Sequence, residues 1–163
     1  MSALAANAVE ALCARRLGPH AGAHPELVAR IVLEAQGSPY LAFQLATLAE
    51  AKIARGEGLD TLSVGELVEQ TGALLPDEAR DLLATLAVAG RPMQPRLALR
   101  AAGAKRDGRS HVHALRGRNL VRTRDVGGER LLECYHDRVR ESVQAALDAG
   151  QRVGTLKVNL ASG

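Results

Sequence analysis

Asn119-Leu120-Val121-Arg122-Thr123-Arg124-Asp125-Val126-Gly127-Gly128-Glu129-Arg130-Leu131-Leu132-Glu133-Cys134-Tyr135 is the stretch on which the fold of this 163-residue chain turns. Up to Asn119 the apolar residues recur at helical spacing. Beyond it the period falls towards 2, so 120–124 and 130–135 read as two short strands. The residues between them, Asp125 to Glu129, include Gly127 and Gly128, which reach positive φ without steric cost, and a β-hairpin is expected.

Reading outward from the hairpin, Val139, Val143, Ala146 and Leu147 form the stripe of a last helix that stops at Gly150. Upstream lie three helices. Pro76 to Ala89 buries Ala79, Leu82, Leu83 and Leu86, places Asp77 and Glu78 near its positive end, and closes on Gly90. Pro95 to Ala102 ends at Gly103, and Ser110 to Arg118 is the third. Three helices, a hairpin and a further helix describe a winged-helix subdomain over residues 74–150. The tail 151–163 has no clear period and is left unassigned.

Residues 1–73 read as helical throughout. Ser2 to Leu17 carries Leu4, Ala8, Val9 and Leu12 on one side and ends at Gly18-Pro19. Pro25 suits a first helical position, and Leu27, Val28, Ile31 and Val32 follow at helical spacing before Gly37. Ser38 caps a helix opening at Pro39, which buries Leu41, Leu45 and Leu48 and stops near Gly56-Glu57-Gly58. Ser63-Val64-Gly65-Glu66 is a capping box, so a short helix runs from there to about Gly72. The fold class is therefore mainly α, with one β-hairpin.

Composition narrows the function. With Tyr40, Phe43 and Tyr135 the only aromatic residues, surfaces that stack bases are nearly excluded. No apolar run reaches 18 residues, the start lacks a basic n-region, and Cys13 and Cys134 match no disulfide or paired metal motif; a soluble cytoplasmic chain is expected. Charge is uneven: residues 1–90 hold 6 basic and 11 acidic groups, whereas 91–163 hold 15 and 7. Arg91 to Arg124 carries ten basic groups against Asp107, a field that attracts anions or nucleic acid. Arg109, Arg116 and Arg118 on the third helix, with Arg122, Arg124 and Arg130 about the wing, are the candidates for phosphate contact, and the acidic first half offers an alternative partner.

Other chemistry is poorly supplied. Gly103 to Ser110 spells GxxxxGRS, near the phosphate-cradling GxxxxGK[ST], yet it follows a helix and has Arg for Lys; a C-cap glycine and a turn account for it. His111, His113, Cys134 and His136 are zinc-ligand types, but His111 and His113 point apart on a helix, so no metal is expected. No nucleophile elbow or HExxH helix occurs, and no catalytic residue is assigned.

Two short motifs remain: Gln36-Gly37-Ser38-Pro39-Tyr40-Leu41-Ala42, a Gly-x-Pro turn between helices, and Tyr135-His136-Asp137-Arg138, a histidine where the hairpin meets the last helix. Taken in order with Leu74 to Pro92, these resemble the helical lid and winged-helix portion of a STAND-class P-loop ATPase, the signal-transduction branch that includes NB-ARC and MalT-like regulators. Glu34 to Leu45 is similar to the GxP motif of the lid, and Tyr135 to Glu141 to an HDRxRE form of the MHD-type motif. Bacterial members are often fused to serine/threonine kinase or transcriptional output domains. The resemblance implies that Pro39 packs on adenine, that Gly37 allows close approach, that His136 approaches the β-phosphate of ADP, and that Asp137 orients its turn. Tyr135 replaces the Met of the plant pattern, and Walker A and Walker B strands are missing. The resemblance thus implies no ATPase activity in this chain, ADP or ATP bound only with a P-loop domain, and a chain that is a fragment of a longer regulator. The runner-up reading is a stand-alone winged-helix DNA-binding regulator.

Overall fold

The computed structural model describes residues 6–105 and 107–149. They are mainly helical, with one small antiparallel sheet, and fall into two compact units, Met1–Leu67 and Val68–Gly163. The expected Leu4 contact, the stop at Gly150 and the tail 151–163 lie outside the described residues.

In the first unit, α1 (Ala6–Leu17), α3 (Pro25–Ala35) and α4 (Pro39–Ala54) pack on one another. Val9, Cys13 and Leu17 meet Leu27, Ile31 and Ala35 and the α4 stripe Leu41, Leu45 and Leu48. Ala42, Ala46 and Ala49 are fully buried on α4, and their small side chains let the neighbouring helices approach closely. Between α1 and α3 the chain forms a five-residue helix, α2 (Pro19–Ala23), which the sequence reading passes over because five residues are too few to show a period.

The segment joining α4 to α5 (Val64–Ala73) is tied down by side chains. Arg30 donates to the carbonyls of Leu59 and Asp60. Glu34 accepts from the Val64 amide at 3.0 Å, and Ser63 Oγ from the Glu66 amide at 3.1 Å. The carboxylate of Glu66 holds the buried Lys52 ammonium at 2.6 Å, and Thr61 Oγ1 takes a second ammonium proton at 3.1 Å. The boundary between the two units falls inside α5.

The second unit is built around α6 (Asp77–Ala89), on which α7 (Pro95–Ala101), α8 (Arg109–Gly117), α9 (Asp137–Asp148) and the hairpin all pack. Pro76 is the cap of α6 rather than a member of its first turn, and Gly90 ends it in the left-handed conformation at φ 62°. Leu82, Leu83 and Leu86 of α6 are buried, as are Leu115, Val121, Leu132, Val139 and Val143, and together they make this unit's core aliphatic.

β1 (Val121–Val126) and β2 (Glu129–Cys134) pair in the register Val121 with Cys134 through Val126 with Glu129. Relative to the expected 120–124 and 130–135, β1 runs two residues and β2 one residue further into the turn, Leu120 and Tyr135 fall outside the strands, and only Gly127 and Gly128 connect them. Both glycines have positive φ, 59° and 84°, as a two-residue type I′ turn requires. Met93 exchanges backbone hydrogen bonds with Leu132 at 2.9 and 2.7 Å, so a single residue between α6 and α7 covers the other edge of β2.

Candidate functional site

The Gly-x-Pro turn is built by three consecutive backbone choices. Gln36 and Gly37 are both left-handed, at φ 45° and 78°, which reverses the chain after α3. Ser38 is extended, and its buried hydroxyl accepts from the Leu41 amide at 3.3 Å. Pro39 then takes the first helical position, where its missing N–H is no loss, and its ring is exposed. A groove of about 660 Å³ in this unit, lined by Ala14, Pro25, Val28, Val32 and Glu10 among others, includes neither Gly37 nor Pro39.

His136 is the cap of α9. The Tyr135 amide donates to the Leu120 carbonyl at 2.9 Å, so the chain leaves the hairpin in a fixed direction. Nδ1 of His136 accepts from the Arg138 amide at 3.1 Å, and Ser142 Oγ returns a bond to the Arg138 carbonyl at 2.7 Å. An accepting Nδ1 is an unprotonated one, which puts the proton of the neutral ring on Nε2 and makes that nitrogen a donor. Burial pushes the His136 pKa below its ordinary value, and the Arg122 and Arg138 cations act in the same direction against Asp137 and Glu141. Asp137 is exposed in the first turn of α9, 3.6 Å from Arg140. It also lines a cleft of about 60 Å³ with Glu133, Cys134 and Arg140, which has space for water but not for a nucleotide.

The arginines singled out from the sequence have different surroundings. Arg109 is 90 % exposed and pairs with Asp107 at 3.2 Å; Arg116 is exposed on the last turn of α8. Arg118 caps that helix and is half-buried. Arg122 is bound by Glu133 at 2.7 Å, Arg124 lies 3.9 Å from the same carboxylate, and Arg130 is 3.7 Å from Asp125. Each hairpin arginine thus has a hairpin carboxylate within 4 Å, and Arg122, Arg124 and Arg130 are balanced in charge by Asp125, Glu129 and Glu133. Arg96, Arg100 and Lys105 enter the sequence reading only as part of a charge total, yet all three are exposed; the i,i+4 spacing of Arg96 and Arg100 was the available signal.

The GxxxxGRS segment is a helix–turn–helix corner. Gly103 follows α7 at φ 75°, and Gly108 is buried as the cap of α8, with no strand leading into the turn. A Cβ on Gly108 would meet the methyl groups of Leu99, which would have to shift to admit it. His111 binds Glu78 at 2.8 Å, tying α8 to α6, and no cluster of metal-ligand types forms among the described residues. Burial raises the pKa of Cys13 and pushes that of Cys134 up to about 12, so both thiols stay protonated and unreactive at neutral pH. Among the described residues no helix is long and apolar enough to cross a membrane.

No family model, curated protein or solved structure matches the chain.

Proposed function

We propose that this chain is the regulatory lid and winged-helix portion of a cytoplasmic STAND-class ATPase. In this reading it works with a separate P-loop nucleotide-binding domain and relays the ADP or ATP state to an output domain, a kinase or a transcriptional regulator. The reading is supported most by His136. Its imidazole caps the helix that leaves the hairpin and offers Nε2–H as a donor. A neutral donor at the positive end of a 12-residue helix suits a phosphate oxygen. The exposed Pro39 ring at the start of α4 is an apolar plate of the kind adenine packs on, and Gly37 keeps the approach free of a side chain.

Mechanistically, a phosphate near His136 draws the ring towards the charged form, whereas the α9 cap holds it neutral, because a protonated Nδ1 cannot accept from Arg138. Nucleotide state and the order of the first turn of α9 are thereby coupled, and a two-state closure biased by the β-phosphate is the relay. The chain supplies no phosphate cradle, so its own affinity for ADP is expected to be weaker than about 1 mM.

The test is a titration of the full chain with ADP, read by NMR at the His136 imidazole and the Pro39 ring. Both signals are expected to move together at millimolar ADP, with the His136 pKa rising. Submicromolar binding by the chain alone, or a His136 signal indifferent to ADP, overturns the reading.

A further inference from the structure

The exposed cations of the second unit segregate by whether they have a partner. On the hairpin, Arg122 and Arg124 share Glu133, and Arg130 faces Asp125. On the α7–α8 corner the situation reverses. Arg96 and Arg100 stand one turn apart on α7, Lys105 lies in the turn, and Arg116 on α8, all exposed and none with an acidic partner among the described residues. Arg109 has only the exposed Asp107. Both helices face α6 with their apolar sides, Ala98 from one and Leu115 from the other, and turn these cations to solvent. Along α8 the exposed positions Arg109, His113 and Arg116 follow i, i+4, i+7, a single stripe about 10 Å long.

We propose that the α7–α8 corner docks the phosphate backbone of double-stranded nucleic acid, independently of sequence. This goes beyond the nucleotide relay and uses none of its residues. Cations without a carboxylate partner, spread over two helices and their turn, can each meet a backbone phosphate, and each contact releases a condensed counterion. Single strands are disfavoured because residues 95–117 contain no Phe, Tyr or Trp on which a base could stack. A protein partner is disfavoured because the core of a protein interface buries apolar area as well as arginines, and Leu97 is the one large exposed apolar side chain that the described residues of this corner offer. The hairpin does not join in, since its arginines already hold carboxylates and its tip carries Asp125 and Glu129.

The experiment is fluorescence anisotropy of the full chain with a labelled random-sequence duplex of about 20 base pairs, repeated over a range of salt. Micromolar binding is expected at low salt. Four to five phosphate contacts at about 0.9 each give a log–log salt slope of about −4. Combining Arg96→Gln, Arg100→Gln and Arg116→Gln is expected to weaken binding by at least about tenfold and to flatten the slope by about 3. Replacing the same three by Lys retains the slope, which separates charge from folding. Arg122→Gln with Arg124→Gln leaves affinity within about twofold, because both arginines stand on a hairpin whose carboxylates repel phosphate and balance its cations. The proposal is overturned by no duplex binding at low salt, by hairpin variants that cost as much as the corner variants, by Lys replacements that lose the slope, or by polyglutamate competing as well as duplex.

Discussion

Helices α4 and α9 both begin where the chain leaves an irregular segment, and in both the residue just before the helix turns its side chain back to accept a backbone amide. At α4 the acceptor is the buried Ser38 hydroxyl, with Pro39 next and two left-handed residues before it. At α9 it is the His136 imidazole, half-buried, with Asp137 next and an extended strand before it. A hydroxyl accepts at any pH a protein survives. An imidazole accepts only while Nδ1 is unprotonated, so the start of α9 depends on proton and phosphate where the start of α4 does not.

The largest effect is expected at the unconditional start. Ser38→Ala removes the acceptor and leaves the Leu41 amide unpaired in a buried place, costing about 1–2 kcal/mol, or about 3–6 °C in Tm. Calorimetry of the full chain checks this, and a loss below about 0.5 kcal/mol would mean that proline geometry alone starts α4. Next comes Gly37→Ala, which forces a side chain into φ 78° and costs about 1 kcal/mol through strain, leaving the cap itself intact. At the conditional start, His136→Ala costs about 0.5–1 kcal/mol at pH 8, while His136→Asn, whose amide oxygen takes the same place, recovers most of it. Amide hydrogen exchange at Arg138 reports the difference directly.

The α4 start was legible in the sequence because everything that makes it is local: Gly, Ser and Pro stand in consecutive register with the helical stripe that follows. The same holds for α3, for α6 with its Gly90 stop, and for the existence of the hairpin. What the sequence hid was set by partners distant along the chain. Met93 becomes an edge to Leu132 only once α6 and β2 are packed together, so nothing near residue 93 signals it. At the turn the expected strands stop short, because Asp125 and Glu129 look like turn residues whereas two glycines suffice for the reversal. The candidate site divides in the same way. The positions of Pro39 and His136 could be read, but the tautomer of His136 follows from the Arg138 amide, and the charge available on the arginines from cross-strand register, which sets Glu133 opposite Arg122. A run of ten basic residues thus contains both neutralised and free cations, and spacing alone does not separate them.

The smallest effect sharpens the comparison most. Because the pKa of His136 is lowered in the folded chain, the unfolded chain binds its proton first as pH falls. Above the ordinary histidine value of about 6.5 the ring is neutral in both states and the α9 cap contributes fully. As pH drops through that value and then through the lower folded one, the contribution is lost. The Tm of the parent is therefore expected to decline faster than that of His136→Asn between pH 7.5 and 5, the gap between them closing by about 1–2 °C. Ser38→Ala gives a curve parallel to the parent's, since a hydroxyl cap has no proton to gain. Equal slopes for the parent and His136→Asn would mean that the imidazole takes up its proton at the same pH in the folded and the unfolded chain, so that its bond to the Arg138 amide adds nothing to stability. The two helix starts would then be equivalent, and the first turn of α9 could not carry the state of a bound phosphate.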